Sequence, residues 1–226
     1  MDQRMERRKK AKPLRERSPN NGIMIPRVYG LRNSSQKLNP SSRLIIEPLE
    51  NKTLDLFEAI RKRRSIRAYT KEDISEEELK KLIDAARWAP SAGNIQPWEF
   101  IIIRNTETKR KLSVAALDQT SIEEAPVVIV VCANQKRSAG GYEHRGTTLY
   151  CLQDTAAATQ NLLLAAHALG LGACWIGAFQ EEEARQALNI PMGVRPIAII
   201  PVGHPAEKPM APSRRPISEI VHYEKF

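Results

Sequence analysis

Cysteine is scarce. Cys132, Cys151 and Cys174 are the only three in 226 residues, an odd number with no CxxC spacing. That excludes a disulfide framework or a cysteine-rich zinc site and is expected of a reducing compartment. Long apolar runs are also missing; the longest, Ala125 to Ala133, is too short to span a bilayer. The charged start lacks an apolar h-region, so export is not expected and a cytoplasmic location is. The four histidines (His144, His167, His204, His222) are scattered and form no HExxH pair, so no metal site is expected. Ser91 is not in a GxSxG elbow. The Gly170–Gly177 stretch has Trp175 where a GxGxxG motif needs glycine, and its glycines follow a helix instead of a strand.

Charge of one sign is concentrated at one end. Residues 1–20 carry eight Lys/Arg against three Asp/Glu, and residues 21–50 carry four against two, so +7 of the formal +9 lies in the first 50 residues. The first 22 residues have almost no large apolar side chains and read as disordered, because little burial opposes the entropy of ordering. We therefore divide the chain into a basic extension, 1–50, and a domain, 51–226. A basic arm can bind phosphate backbones. No aromatic residue interleaves Arg4 to Arg17, however, so a stacking platform for single strands is absent. The plainer alternatives are a solvated extension or a reading frame that truly starts at Met24 or later.

From residue 51 the pattern predicts interleaved helices and strands. Leu54, Leu56, Phe57 and Ile60 form a helical stripe. Ser75 with Glu78 is a capping box opening a helix that ends near Ala89, before Pro90. Glu99–Arg104 and Pro126–Ala133 read as strands flanking a helix over Thr106–Leu117. Residues 134–147 read as a polar, glycine-containing loop. A long, mostly apolar helix follows, about Thr147 to Leu169, stopped by Gly170 and Gly172. Then come a strand Ala173–Ile176, a helix Glu181–Leu188, a strand Ile197–Val202 and a proline-rich tail with an extended segment at Ile220–Tyr223. Strands apolar on both faces imply helices on both sides of a sheet. On this pattern Cys174 is an inert core thiol and His167 a packed helix residue.

Four places invite chemistry. Arg63-Arg64-Ser65-Ile66-Arg67 offers guanidinium forks and a hydroxyl to a phosphate, although a solvated helix end would look the same. Pro90 to Trp98 brackets small and amide residues between prolines, which suits a planar heterocycle or simply a connection. Gly177 permits close approach of a flat ligand to backbone. Ser213-Arg214-Arg215 is a second basic cluster, or a solvated tail.

Taken in order, RRSIRAYT (63–70), AARWAPSAGNIQPWEF (85–100), EAPVVIVV (124–131), the helix 154–179, LNIPMGVRPIAIIPVGHP (188–205) and RRPISEIVHYEKF (214–226) resemble the FMN-dependent nitroreductase family. The resemblance covers about residues 54–226. It implies an α+β fold, an α/β/α sandwich with a central, mainly antiparallel sheet, in an intertwined homodimer with FMN at the subunit interface. It implies that Arg63 and Ser65 contact the FMN phosphate and ribityl chain, with Arg64 assisting through its backbone. Arg67 would lie near the pyrimidine end, where a cation stabilises a reduced flavin by roughly 1–4 kcal/mol. Pro90, Ser91, Asn94 and Gln96 would come from the partner subunit, Asn94 bonding the ring edge. Ile176 and Gly177 would pass against the flavin, and Arg214 with Arg215 would close on the phosphate. Some relatives place a lysine two residues before this arginine; Pro212 stands there. The implied activity is a ping-pong transfer from NADH or NADPH to a small acceptor (nitroaromatic, quinone or flavin), with no side-chain acid or base and with residues 140–145 as a lid. The competing readings are a non-catalytic flavin-binding protein and nucleic-acid binding through the arm.

Overall fold

The computed structural model describes residues 55–226. The basic extension, its boundary at residue 50, and Leu54 of the first stripe lie outside the described residues. Eleven named elements position the site. Helix α1 is Leu56–Lys62, α2 Glu76–Arg87, α3 Thr106–Ala115, α4 Ser121–Glu124, α5 Gln135–Arg145, α6 Cys151–Ala168 and α7 Glu181–Ala187. The strands are β1 Trp98–Ile103, β2 Val127–Asn134, β3 Gly172–Ala173 and β4 Val194–Gly203. They form one sheet in the order β1-β2-β4-β3, with every neighbouring pair antiparallel.

The continuous apolar run of β2 is explained by two cores. Val127, Ile129 and Val131 point to one face, where they meet Leu79 and Leu82 of α2 and Leu162 and Ala166 of α6. Val128, Val130 and Cys132 point to the other, where they meet Leu112 of α3, Ile122 of α4 and Ala184 of α7. In β4, Ile199 faces the second core while Ala198, Ile200 and Val202 face the first. A strand covered on both sides has no polar face to present, so its pattern is unbroken. The result is the α/β/α sandwich expected from the sequence.

Local chemistry sets several element ends. Ser75 and Glu78 make the full capping box of α2. Asn105 caps α3 by accepting the Thr108 N–H. After α6 the Gly170 N–H bonds the His167 carbonyl and the Leu171 N–H bonds that of Ala166, with Gly170 at φ +77°, a Schellman ending.

Three expectations are corrected. Residues 134–147 are not a loop. Asn134 accepts the Arg137 N–H and starts α5, which kinks at Tyr142 and Glu143 and continues as a π turn over Gly146–Tyr150 into α6. The strand at Ala173–Ile176 is shorter: β3 has two residues, and Ile176 adds one isolated bridge to Ile199. The tail forms a 3₁₀ turn over Ile217–Glu219 that Ile220 continues as a turn, in place of an extended segment starting at Ile220. The apolar stripe expected on α1 is helical and faces outward: Leu56, Phe57 and Ile60 are 60%, 65% and 50% exposed, and only Ala59 of that helix is buried. No helix among the described residues is long and apolar enough to cross a membrane.

Candidate functional site

The segment 63–70, between α1 and α2, is the framework of the site. Ser65 bridges Ala173 of β3, and the Ile66 N–H donates to the Ala173 carbonyl at 3.1 Å. Ile66 is buried. The Tyr69 hydroxyl donates to the Ile66 carbonyl at 2.5 Å and lies 3.2 Å from that of Pro201. Burial pushes the Tyr69 phenol far above its ordinary value, which keeps it a neutral donor. Gly172 and Gly203, directly paired between β3 and β4, make room for these two side chains. A Cβ on Gly172 would lie 2.7 Å from Ile66 Cγ2, and one on Gly203 2.9 Å from Tyr69 Cδ1. With Ile66 and Tyr69 turned inward, the arginines are left on the outer side.

Arg63, Arg64, Ser65 and Arg67 line a cavity of about 280 Å³, closed on its other side by Pro209, Met210, Pro212 and Arg214. The structure thus brings together five predicted residues from opposite ends of the domain. The Arg63 and Arg67 guanidiniums make no hydrogen bond among the described residues. Arg64 donates to the carbonyls of Arg61 and Arg63 and so also closes the end of α1. Arg214 donates to the Ser213 carbonyl at 2.9 Å. Arg215 does not line the cavity; it stands 4.0 Å from Glu219.

Ile176 and Gly177 lie at the edge of β4. The Ile176 N–H and carbonyl both bond Ile199, at 3.0 Å each. Cys174 and Ile176 are buried, whereas Trp175 and Gly177 face outward. Burial raises the Cys174 thiol pKa despite the nearby Arg67 and Arg63, so it is the inert core thiol expected.

The loop bearing Pro90, Ser91, Asn94 and Gln96 does not line this cavity. It is held elsewhere on the chain. Ser91 Oγ accepts the Gln96 N–H at 3.0 Å, and the Gln96 side chain donates to Asn94 Oδ1 at 3.1 Å. Arg137 of α5 donates to the Gln96 carbonyl at 2.7 Å and pairs with Glu99. Asn94 and Gln96 both adopt positive φ, +55° and +52°. For Gln96 this is a costly conformation, of the kind the surroundings must enforce. Asp154 on α6 accepts the Ala92 N–H at 3.1 Å. Its carboxyl is buried and shifted upward by burial.

Sequence reasoning missed the second side of the site. A larger neighbouring cavity, about 580 Å³, shares Arg63, Arg64 and Pro209 and adds Lys62, His167, Glu207 and Lys208 over a floor that includes Leu163 and Leu171. His167 is therefore not simply packed. Burial, then Arg63, Arg64 and Lys62, hold its pKa below the usual 6.5. It reports a positive potential that sequence neighbours on α6 could not reveal. The signal for Glu207 and Lys208 was the His-Pro-Ala-Glu-Lys-Pro run after the last strand, which has no helical or strand period.

This potential has a measurable consequence. Because the folded pKa lies below the unfolded one, the stability owed to neutral His167 is whole above about pH 6.5 and lost as pH falls toward the folded value. His167→Gln should flatten the loss of stability on that acid limb. Inorganic phosphate should raise the His167 pKa in an NMR titration, since an anion at the shared arginines offsets their repulsion. A His167 pKa indifferent to phosphate would place the anion site elsewhere.

The sequence profile described as "Nitroreductase family" matches residues 60–135 and 115–204. A protein of Methanothermobacter thermautotrophicus, provisionally named NADH dehydrogenase/NAD(P)H nitroreductase, is 40% identical over 162 residues, covering 69% of this chain and 80% of that protein. The FMN reductase [NAD(P)H] of Bacillus subtilis is 30% identical over 185 residues, covering 76% of this chain and 74% of that one. The NADPH:FMN oxidoreductase of Vibrio harveyi, solved in complex with NAD+, superposes with a TM-score of 0.70 at 27% identity, over 75% of this chain and 77% of that one. The two-faced antiparallel sheet, the arginine segment docked on its edge and these matches have one conclusion: the chain belongs to the nitroreductase family.

Proposed function

We propose that this protein is an oxidoreductase that binds FMN and passes reducing equivalents from NADH or NADPH to a small acceptor, a nitroaromatic, a quinone or a flavin, in a ping-pong cycle. The observation that carries this reading is the convergence of Arg63, Arg64, Ser65 and Arg67 with Arg214 on one cavity. The relatives named as FMN reductase and NADPH:FMN oxidoreductase support the choice of cofactor and donor.

The residues present fit FMN. The Arg63 and Arg67 guanidiniums, which make no hydrogen bond among the described residues, and the Ser65 hydroxyl line a small cavity that matches a phosphate, which guanidinium forks bind in bidentate geometry. When bound, FMN supplies the two-electron hydride chemistry between donor and acceptor. Arg63, Ser65 and Arg214 would hold its phosphate and ribityl chain. Arg64, already engaged at the end of α1, would add positive field more than a direct bond. Arg67 would place a cation where negative charge develops on reduction. Ile176 and Gly177 would give a flat backbone wall, because nothing but Trp175 lies within 4 Å of a Cβ built on Gly177. No residue of this site is required as a general acid or base.

The Pro90–Gln96 loop would complete the site from a second copy of the chain. Its absence from the arginine cavity within one protomer supports that division, as does the exposed apolar face of α1. Without the partner loop, four of the twelve predicted contact residues (Pro90, Ser91, Asn94 and Gln96) are unavailable.

Arg63→Ala should weaken FMN binding about ten- to hundredfold, the worth of a charge-assisted contact. Arg104→Ala should not, because Arg104 is engaged by Asp73, Glu76 and the Ile74 carbonyl. Equal losses in a fluorescence titration would remove Arg63 from the site. Ala165→Glu, on α6, should abolish dimer and flavin together; a monomer holding stoichiometric FMN would contradict a shared site.

A further inference from the structure

The two halves of the arginine cavity come from separate segments, 63–67 and 209–214, and one side chain ties them. The chain leaving β4 runs antiparallel to residues 67–70. The Thr70 N–H donates to the His204 carbonyl and the Ala206 N–H to the Ala68 carbonyl, both at 2.9 Å, while Tyr69 bridges Pro205. This backbone pairing stops at Ala206. Glu207 then extends it with its side chain: Oε1 accepts the Arg67 N–H at 2.5 Å and the Ala68 N–H at 3.2 Å.

The charge of Glu207 is out of place for an anion site. Among the residues lining the two adjoining cavities, it alone is acidic, against Lys62, Arg63, Arg64, Arg67, Lys208 and Arg214. A carboxylate there opposes a phosphate by Coulomb repulsion. Its two hydrogen bonds to backbone supply a different use. They fix the backbone of Arg67 and the point from which the tail departs. Beyond Glu207 the chain has no helix or strand until Ile217, and Pro209 and Pro212 restrict its torsions. The departure point therefore governs where Arg214 arrives.

We propose that Glu207 is a positioning residue, a latch that sets Arg67 and Arg214 around a phosphate, and that it acts through geometry against its own electrostatic effect. The phosphate part rests on the proposed function; the latch itself does not. Replacing the carboxylate by an amide separates the two effects, since Gln keeps an acceptor oxygen and loses the charge. Ala loses both.

The experiment compares wild type, Glu207→Gln and Glu207→Ala in two readouts. The first is hydrogen exchange at the Arg67 and Ala68 amides in flavin-free protein. Glu207→Ala should speed exchange there about tenfold, and Glu207→Gln should stay within about threefold of wild type. The second is FMN titration. Glu207→Ala should bind about five- to tenfold more weakly, and Glu207→Gln as tightly as wild type or more so. If both variants bind FMN more tightly, Glu207 is only a repelling charge and the proposal is overturned. Unchanged exchange in Glu207→Ala overturns it as well. Wild type that binds no FMN would defeat the proposed function, and the exchange readout would still decide the latch.

Discussion

The site depends on a close approach between backbone and side chain at the sheet edge. Gly172 and Gly203 face each other across β3 and β4, and neither has room for a Cβ. Ile66 fills the first gap and Tyr69, together with Pro126, the second, so the 63–70 segment docks in one register. A shift by one residue would bury either Ser65 or Arg67 where Ile66 sits, and desolvating an unpaired hydroxyl or guanidinium is costlier than burying Ile. The positions of Arg63, Ser65 and Arg67 are thus a consequence of apolar packing beneath them. Tyr69 strengthens the dock by satisfying the Ile66 carbonyl, and its neutral phenol suits a buried donor.

The sandwich supplies the rigidity this dock requires. Both faces of β2 are covered, and β4 carries the bonds that hold Ile176 and Cys174 at the edge. Functional groups mounted on such a scaffold keep their geometry better than groups on free loops. The cations on the outside are then close enough to reinforce one another, and His167 registers their combined field from beneath. An anion is the natural complement of that arrangement. The single carboxylate in it, Glu207, is used as a hydrogen-bond acceptor for backbone.

Much of this was legible in the sequence where the cause is local. The Ser75–Glu78 box, the Gly170 stop and the uninterrupted run of β2 each state their structure within a few residues. So did the arginine segment and Arg214, through their order along the chain. What was illegible has nonlocal causes. Helix α5 contains Gly140 and Gly141 and few apolar residues, so propensity argued for a loop. It forms because Asn134 caps it and because it packs closely on the Pro90–Pro97 loop, where a Cβ on Gly141 would lie 2.5 Å from Ile95 Cδ1. The edge strand fell short because Ile66 and Ser65, not more of β3, pair with Ala173. His167 looked like packing because the cations near it come from α1, far away in sequence. Successive residues in an extended tail point apart, so Arg214 lines the cavity while Arg215 stands 4.0 Å from Glu219.

The central claim is that a phosphate-anchored flavin works on this edge. An absorption spectrum of the purified protein, taken with added FMN before and after anaerobic NADH and then NADPH, tests it most directly. The account predicts protein-bound flavin bands that bleach with at least one of the two donors and return when a quinone or nitroaromatic is added. Bound flavin that neither nucleotide bleaches would contradict the oxidoreductase reading, and a protein that retains no FMN would contradict the site itself.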